Sequence, residues 1–133
     1  MSLKAISSDT AELVNSLSHN IQGEVRSDEM SKTLWSTDAS IYQINPVAVV
    51  LPKSKDDVIS VVETCAKYGV SVLPRGGGTS LAGSTVGESV IMDFSRYMNE
   101  LKEVNIAEKW VRTQPGIILD ELNQKIAKHG FLF

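Results

Sequence analysis

Cysteine is almost absent from this sequence, with Cys65 as the one example among 133 residues. A single cysteine excludes an internal disulfide and any metal cluster held by cysteines of this chain alone. It favours a reducing compartment, so we expect a cytoplasmic protein, with peripheral attachment of a longer protein to a membrane left open. Long apolar runs are missing as well. The longest, Pro46–Pro52, is far shorter than the roughly 20 residues of a membrane helix, and neither a signal peptide nor a transmembrane segment is predicted.

An excess of basic charge is also lacking. The chain has 13 lysine and arginine residues against 16 aspartate and glutamate residues, which gives a formal net charge of −3. Proteins that neutralise nucleic-acid phosphates are usually basic, so no nucleic-acid partner is expected. The length suits one domain with its own core rather than a two-domain enzyme. The apolar end, Gly130–Phe133, is typical of the start of a buried strand, and we expect a fragment of a longer protein.

The first 45 residues predict a helical and irregular extension. Apolar residues recur at intervals of four, at Leu13, Leu17 and Ile21. This spacing predicts a helix over Ser8–Ile21, with Asp9 or Thr10 capping its start. The polar stretch that follows predicts a loop with a short helical piece at Met30–Leu34. Residues 1–45 are therefore treated as a unit separate from residues 46–133, where the patterns of strands and helices are clearer.

A strand, a helix and a second strand follow in close succession. The β-branched run Ala48–Leu51 lies between two prolines and predicts a buried strand. Ser54 and Asp57 form an approximate capping box, and Gly69 ends the helix. The apolar stripe of this helix would consist of Val58, Val61, Val62, Cys65 and Tyr68. With the strand Val70–Pro74 this makes a βαβ unit, for which parallel strands and a right-handed crossover are expected.

The rest of the chain completes an α/β (α+β) fold with a small parallel sheet flanked by helices. A third strand is predicted at Ser89–Phe94. Leu101–Ile106 is expected to pair with Lys109–Thr113 as a hairpin, before a break at Pro115–Gly116. The last helix would bury one side made of Ile118, Leu119, Leu122 and Ile126.

Glycines cluster directly after the second predicted strand, at Gly76, Gly77, Gly78 and Gly83. Without Cβ atoms, such a loop can point several backbone N–H groups at one anion. Four hydroxyl groups could add donors, from Thr79, Ser80, Ser84 and Thr85, and Arg75 would place a positive charge at the loop entrance. The loop leaves the carboxyl end of a parallel strand, where ligands gather in α/β sheets. The alternative is a flexible connection that binds nothing.

Two common phosphate-binding motifs are excluded because the sequence lacks residues that they require at fixed positions. A P-loop requires a lysine that the stretch between Lys67 and Lys102 does not contain. A dinucleotide fingerprint that starts at Gly76 would need its third glycine where Leu81 stands. If the loop binds phosphate, it does so with another geometry.

Four segments in a fixed order carry a family resemblance. They are Pro46–Pro52, Asp56–Val58, Pro74–Gly83 and Gln114–Gly116. Together they resemble the FAD-binding domain of the p-cresol methylhydroxylase (PCMH) and vanillyl-alcohol oxidase superfamily, and within it the flavoprotein subunits of D-lactate dehydrogenase and glycolate oxidase. Gly23–Asp28 and Ser36–Tyr42 resemble the larger members, which carry iron–sulfur modules further along the chain. The resemblance covers residues 21–133 and makes 46–133 the first part of a PCMH-type FAD-binding domain.

The resemblance implies that the glycine loop wraps the pyrophosphate of FAD and that Pro115–Gly116 approaches the adenosine part. The implied cofactor residues are Arg75, Gly76, Gly77, Gly78, Thr79, Ser80, Gly83, Pro115 and Gly116. Some relatives attach the flavin to a histidine near this loop; Gly78–Ser80 contains none, which implies non-covalent FAD. An iron–sulfur cluster would belong to the missing downstream part.

The function implied for the full-length protein is FAD-dependent oxidation of a D-2-hydroxy acid, such as D-lactate or glycolate, with transfer of electrons to a separate acceptor. The catalytic groups of such enzymes lie downstream, so no catalytic residue and no metal ligand is named here, and the chain alone is expected to be inactive. A nucleotide- or phosphate-binding module without redox chemistry, or a structural domain, are the alternatives.

Several other polar and aromatic residues receive simpler interpretations. Asp38 is predicted to cap a turn, and Asp93 ends a strand from which contact with the cofactor stays open. Two aromatic residues are predicted to serve packing, Trp35 and Tyr42. His19 and His129 are expected at the surface near helix ends, and Cys65 in the core.

Overall fold

The computed structural model describes the backbone of residues 3–133 and the side chains from Asp9 onwards. Within that range the helices and strands follow one another in this order: α1 (Leu3–Asn20), β1 (Glu24–Arg26), α2 (Glu29–Trp35), β2 (Ala48–Leu51), α3 (Lys55–Lys67), β3 (Val72–Arg75), β4 (Val90–Asp93), β5 (Leu101–Asn105), β6 (Trp110–Thr113) and α4 (Leu119–Ala127). The predicted mixed α/β class is confirmed.

The main sheet has the strand order β1-β2-β4-β3. Strands β2, β4 and β3 run parallel, while β1 pairs antiparallel with β2. The two inner strands, β2 and β4, are fully buried, which explains their continuous apolar sequences. The predicted βαβ unit is therefore present with parallel strands, but β4 lies between β2 and β3. The edge strand β3 carries the glycine loop at its carboxyl end.

One face of the sheet packs against α1 and α3. Leu13 and Leu17 of α1 and Val61 and Cys65 of α3 contribute buried side chains to this core. Burial raises the pKa of the Cys65 thiol to about 11, as expected for a cysteine in the core. The predicted stripe of α3 was wrong at Val62, which is 48% exposed, because the buried face runs through Val61 and Cys65 instead.

The second face of the sheet has a smaller core. Val49, Leu51 and Ile91 are buried there, and partly buried side chains cover them. The covering side chains are Trp35, Leu73 and Tyr97. The packing role predicted for Trp35 is thus confirmed.

Three predictions at the start of the chain need correction. Helix α1 begins at Leu3, because no glycine or proline precedes Ser8 to stop it, so Asp9 and Thr10 lie inside the helix and do not cap it. Strand β1 was missed, since three residues with a single apolar side chain give no alternation. The predicted helical piece is α2, and the side chain of Asp28 caps it by accepting from the N–H of Ser31 at 2.9 Å.

The α3 cap was predicted correctly and does more than close a helix. The hydroxyl of Ser54 accepts from the Asp57 N–H at 3.1 Å. The Asp57 carboxylate in turn accepts from the N–H groups of Lys53 at 2.8 Å and Gln22 at 2.9 Å. Asp57 therefore links the start of α3 to the segment after α1.

The predicted hairpin is confirmed as β5 and β6, which pair antiparallel. In α4, Leu122 and Ile126 are buried as expected. Ile118 and Leu119 are each 51% exposed, so the buried side of this helix is narrower than predicted.

Candidate cofactor-binding site

Five successive backbone amides at the start of the glycine loop lack a partner. In the described part of the chain, the N–H groups of Gly76–Ser80 donate to no acceptor. The loop leaves the carboxyl end of β3, and Gly77 and Thr79 are exposed while the other three residues are half-buried. A run of free N–H groups on a glycine-rich loop is a site for an anion with several oxygens.

Two glycines of this loop leave space that the protein itself does not fill. A Cβ atom at Gly77 would lie 3.7 Å from Cγ2 of Thr79, which is ordinary contact. A Cβ atom at Gly76 would lie 3.7 Å from the carbonyl oxygen of Pro115. Neither residue has a positive φ. The fold therefore does not require glycine at these two positions, whereas a ligand that approaches the backbone closely would.

The other two glycines are required by the fold. Gly78 has φ +67°, and a Cβ atom there would lie 2.5 Å from Nη2 of Arg75. Gly83 has φ +74°, and its Cβ atom would lie 2.6 Å from Cδ2 of Tyr42. Both positive angles favour glycine over other residues. Gly78 and Gly83 thus shape the loop rather than leave room for a ligand.

The half-buried side chain of Arg75 lies beside the loop and donates to the protein itself. Its Nη1 donates to the carbonyl oxygens of Trp35 at 3.2 Å and Thr85 at 3.4 Å. The guanidinium also lies against Gly78. The side chain holds the two ends of the loop together, because Arg75 precedes the loop and Thr85 follows it.

The four hydroxyl residues do not share one role. The hydroxyl oxygen of Ser80 accepts from the N–H groups of Ala82 at 3.2 Å and Ser84 at 3.0 Å, which tightens the loop. The hydroxyl of Thr85 donates to Oδ2 of Asp38 at 2.9 Å. Thr85 was predicted as a ligand donor, but its proton is used inside the protein. Thr79 is exposed beside the free amides.

Asp38 caps a turn as predicted, and it also contacts the loop. Its Oδ1 accepts from the Ser40 N–H at 2.9 Å, and its Oδ2 accepts from the N–H of Thr85 at 3.4 Å in addition to the hydroxyl. Hydrogen bonds from Ser40 and Thr85 lower the pKa of the Asp38 carboxyl to about 2. The contact with Thr85 joins distant parts of the chain, and no local pattern in the sequence signals it.

Pro115–Gly116 lies next to the loop, as the prediction for the cofactor segment requires. Pro115 is the neighbour of Gly76 described above. Gly116 is buried, its N–H donates to the Met98 carbonyl at 2.8 Å, and a Cβ atom there would lie 2.1 Å from the carbonyl oxygen of Phe94. Gly116 is a glycine because of this close approach, and its packing places Pro115 beside the loop.

Asp93 has both carboxylate oxygens engaged within the protein. Oδ2 accepts from the indole N–H of Trp35 at 2.6 Å, and Oδ1 accepts from the Ser95 N–H at 2.8 Å. The side chain is buried. These contacts explain Asp93 as a structural residue. Tyr42 covers Gly83 while remaining 53% exposed.

A charged cluster on the first strand was not predicted. The Glu24 carboxylate accepts from the hydroxyl of Tyr97 and from Arg26, whose Nη2 lies 2.5 Å away. These hydrogen bonds, with the charge of Arg26, lower the pKa of Glu24 to about 2. The ring of Tyr97 also lies 5.1 Å from Nζ of Lys53. The cluster ties β1 to the turn after β4.

Two clefts in the described part of the chain lie away from the glycine loop. One, of about 440 Å³, separates β5 from α4 and is bordered by Glu100, Lys125 and Lys128. Another, of about 420 Å³, lies beside Trp110 and Phe131–Phe133. Neither of these two clefts borders the glycine loop. Among the described residues no group of three His, Cys, Asp or Glu could hold a metal ion, and no helix there is both long and apolar enough to cross a membrane.

Comparison with known proteins identifies the family of the domain that contains this loop. The family described as FAD binding domain matches residues 46–133. The chain belongs to the FAD-binding domain family. Its solved structural neighbours include 4-ethylphenol oxidase from Gulosibacter chungangensis, with a TM-score of 0.80 and 23% identity over 92% of this chain and 25% of that one. Another is p-cresol methylhydroxylase, with a TM-score of 0.76 and 16% identity over the same shares. At these identities the likeness shows the fold, and it confirms the PCMH-type architecture.

Sequence relatives point to one group of flavoproteins. D-2-hydroxyglutarate dehydrogenase of Pseudomonas putida is 36% identical over 137 residues, covering all of this chain and 14% of that protein. Its Escherichia coli counterpart is 40% identical over 114 residues, or 84% of this chain and 11% of that protein. A mitochondrial D-lactate dehydrogenase [cytochrome] of Kluyveromyces lactis is 33% identical over 80% of this chain and 19% of that protein. The chain thus spans about a seventh of the first relative.

Proposed function

We propose that this chain supplies the pyrophosphate-binding part of an FAD site in a longer flavoprotein that oxidises a D-2-hydroxy acid. The observation that carries the proposal is the row of free amides over Gly76–Ser80, beside the open space at Gly76 and Gly77. Hydrogen bonds to a charged oxygen are stronger than those between neutral groups. A pyrophosphate offers enough charged oxygens to use several of these amides at once.

The residues of the chain divide into two roles in this proposal. Gly76, Gly77, Gly78, Thr79 and Ser80 present their amides to the pyrophosphate, with Pro115 beside them, and Gly78 has the second role as well. Arg75, Gly78, Gly83 and Gly116 keep the backbone in the shape that this requires. When bound, FAD supplies the acceptor for the hydride that leaves the carbon bearing the substrate hydroxyl.

The substrate class follows from the names of the relatives. They include D-2-hydroxyglutarate dehydrogenases, D-lactate dehydrogenases [cytochrome] and a glycolate oxidase subunit, whose named substrates share a hydroxyl on the carbon next to a carboxylate. We extend that shared chemistry to the full-length protein. Its catalytic groups, its site for an electron acceptor and any iron–sulfur cluster lie outside this chain in the proposal. The alternative of a binding module without redox chemistry has no support from these relatives.

The proposal is tested by Gly77→Val in the full-length protein. The structure has room for a Cβ atom at this position, so the variant should fold. Its side chain would nevertheless stand where the pyrophosphate must approach. Losing two hydrogen bonds to a charged group, at about 1.5–3 kcal/mol each, weakens FAD binding by roughly two to four powers of ten.

The matched control is Gly69→Ala, which changes the glycine between α3 and β3, before the amino end of the strand whose carboxyl end carries the loop. Gly69 has φ +66°, so alanine costs stability there without touching the loop. Flavin titration measures the Kd for FAD, and circular dichroism verifies folding. If folded Gly77→Val binds FAD within about threefold of the parent, the loop is only a connector and the proposal fails.

A further inference from the structure

The glycine loop rests on a segment that lies outside the matched family domain. This segment, residues 35–42, is called the brace. The carbonyl of Trp35 accepts from Arg75, and the N–H of Ala39 donates to the Gly78 carbonyl at 3.0 Å. The ring of Tyr42 covers Gly83. The family match begins only at residue 46, so a domain boundary at that point would cut the brace from the loop.

At the far end of the loop, the side chains of Asp38 and Thr85 join the brace to the loop. Oδ2 of Asp38 receives both the N–H and the hydroxyl of Thr85, at 3.4 Å and 2.9 Å. Oδ1 receives the Ser40 N–H within the brace. A carboxylate that accepts from both sides therefore fixes the end of the loop relative to the brace.

We propose that Asp38 is a positioning residue for the FAD pyrophosphate: by holding Thr85, it fixes the glycine loop in the shape in which the loop presents its free amides. This inference rests on the proposed function. The reason is that none of the amides of Gly76–Ser80 donates within the described chain, so the first part of the loop is ordered by its other contacts. When the N–H donors of a loop are left for a ligand, contacts with other segments have to order the loop. A loop that is ordered before binding has a higher affinity for its ligand.

Thr85 offers the sharpest test, in the full-length protein. Thr85→Val is nearly isosteric but has no hydroxyl to donate to Asp38, whereas Thr85→Ser keeps the hydroxyl. We expect Thr85→Val to raise the Kd for FAD by about tenfold, since the bond it removes goes to a charged acceptor. Thr85→Ser should stay within about threefold of the parent. Asp38→Asn should weaken binding as Thr85→Val does, and the double variant should be little weaker than Asp38→Asn alone, because both changes remove the same link.

The control removes a hydrogen bond between two neutral hydroxyls at the other end of β3, away from the loop. The hydroxyls of Ser71 and Ser89 lie 2.7 Å apart just before β3 and β4. Ser71→Ala should leave the Kd for FAD within about threefold, whatever it does to the melting temperature. A purely structural role for Asp38 would lower the melting temperature of Asp38→Asn and Thr85→Val while their Kd, measured well below melting, stayed at the parent value.

The outcomes separate the two proposals. If the parent binds no FAD, the proposed function fails and the positioning role falls with it. If the parent binds FAD and Thr85→Val binds equally well, the positioning role of Asp38 is overturned while the proposed function stands. If Asp38→Asn does not fold, the comparison of Thr85→Val with Thr85→Ser decides on its own.

Discussion

The indole N–H of Trp35 donates to the buried carboxylate of Asp93 at 2.6 Å, and this bond joins α2 to the end of the central strand β4. Trp35 covers the second face of the sheet and ends the helix that leads into the brace. The same residue thus closes a core with its ring, holds a buried charge with its nitrogen and receives Arg75 at its carbonyl.

Trp35→Phe should therefore destabilise the protein, because it removes the hydrogen-bond donor of the Asp93 carboxylate. Phenylalanine still covers the sheet but leaves Oδ2 of Asp93 without its donor, at a cost of about 1.5–3 kcal/mol in the free energy of unfolding. The control is Trp110→Phe, which removes an equivalent bond from the indole to the exposed Glu108 at 2.7 Å. There the change should stay within about 1 kcal/mol. Urea unfolding of both variants measures the difference, and equal losses would contradict the role given to Asp93.

Alanine at Gly116 should be far more harmful than alanine at Gly76. At Gly116 the new Cβ atom meets the Phe94 carbonyl at 2.1 Å, so the backbone must shift, at a cost of about 1–3 kcal/mol or more. At Gly76 it meets nothing closer than 3.7 Å, and the fold should lose less than about 0.5 kcal/mol. Chemical denaturation compares the two. A destabilised Gly76→Ala would show that the loop has less room than the structure gives it.

The Glu24 cluster should make the stability of the protein fall at acidic pH. The pKa of Glu24 is lowered from 4.5 to about 2 by Tyr97 and Arg26, so the ionised form is favoured in the folded state. Its contribution to stability is complete above pH 4.5 and is lost as the pH falls towards 2. Glu24→Gln removes the titrating group. Thermal melts from pH 6 to pH 2 should show a smaller loss in this variant than in the parent, and parallel curves would refute the assignment.

FAD in the full-length protein should be held without a covalent bond. No histidine, cysteine or tyrosine occurs between Arg75 and Gly87 that could attach the flavin. Acid precipitation should release the yellow colour into the supernatant. Colour that stays in the pellet after washing, and a flavin-bearing peptide from residues 75–87 in mass spectrometry, would contradict this expectation.

The local elements of the fold could be predicted from the sequence because their signals are local. Prolines on both sides marked Ala48–Leu51 as a strand, and Ser54 with Asp57 marked the start of α3. The place of β4 between β2 and β3 could not be predicted, since strand order depends on packing between distant segments. Strand β1 is formed by its pairing with β2 rather than by its own three residues.

The candidate site shows the same division. The cluster of glycines predicted an anion-binding loop, and the family resemblance implied that its cofactor is FAD. The sequence did not reveal which glycines serve the ligand and which serve the fold, because that depends on Arg75, Tyr42 and Phe94 lying against particular ones. Nor did it reveal Asp38 as a partner of the loop, since the contact with Thr85 spans two separate segments.

The edge position of β3 has a consequence for how the chain avoids aggregation. The carbonyls of Ser71 and Arg75 accept from the N–H groups of Val90 and Phe94. The backbone groups of the residues between them therefore alternate, and those of Val72 and Pro74 face outward. An exposed edge normally invites another strand to pair with it. Pro74 has no N–H to offer there, and the glycine loop begins two residues later. The strand that carries the proposed cofactor loop is thereby a poor template for association between copies of the chain.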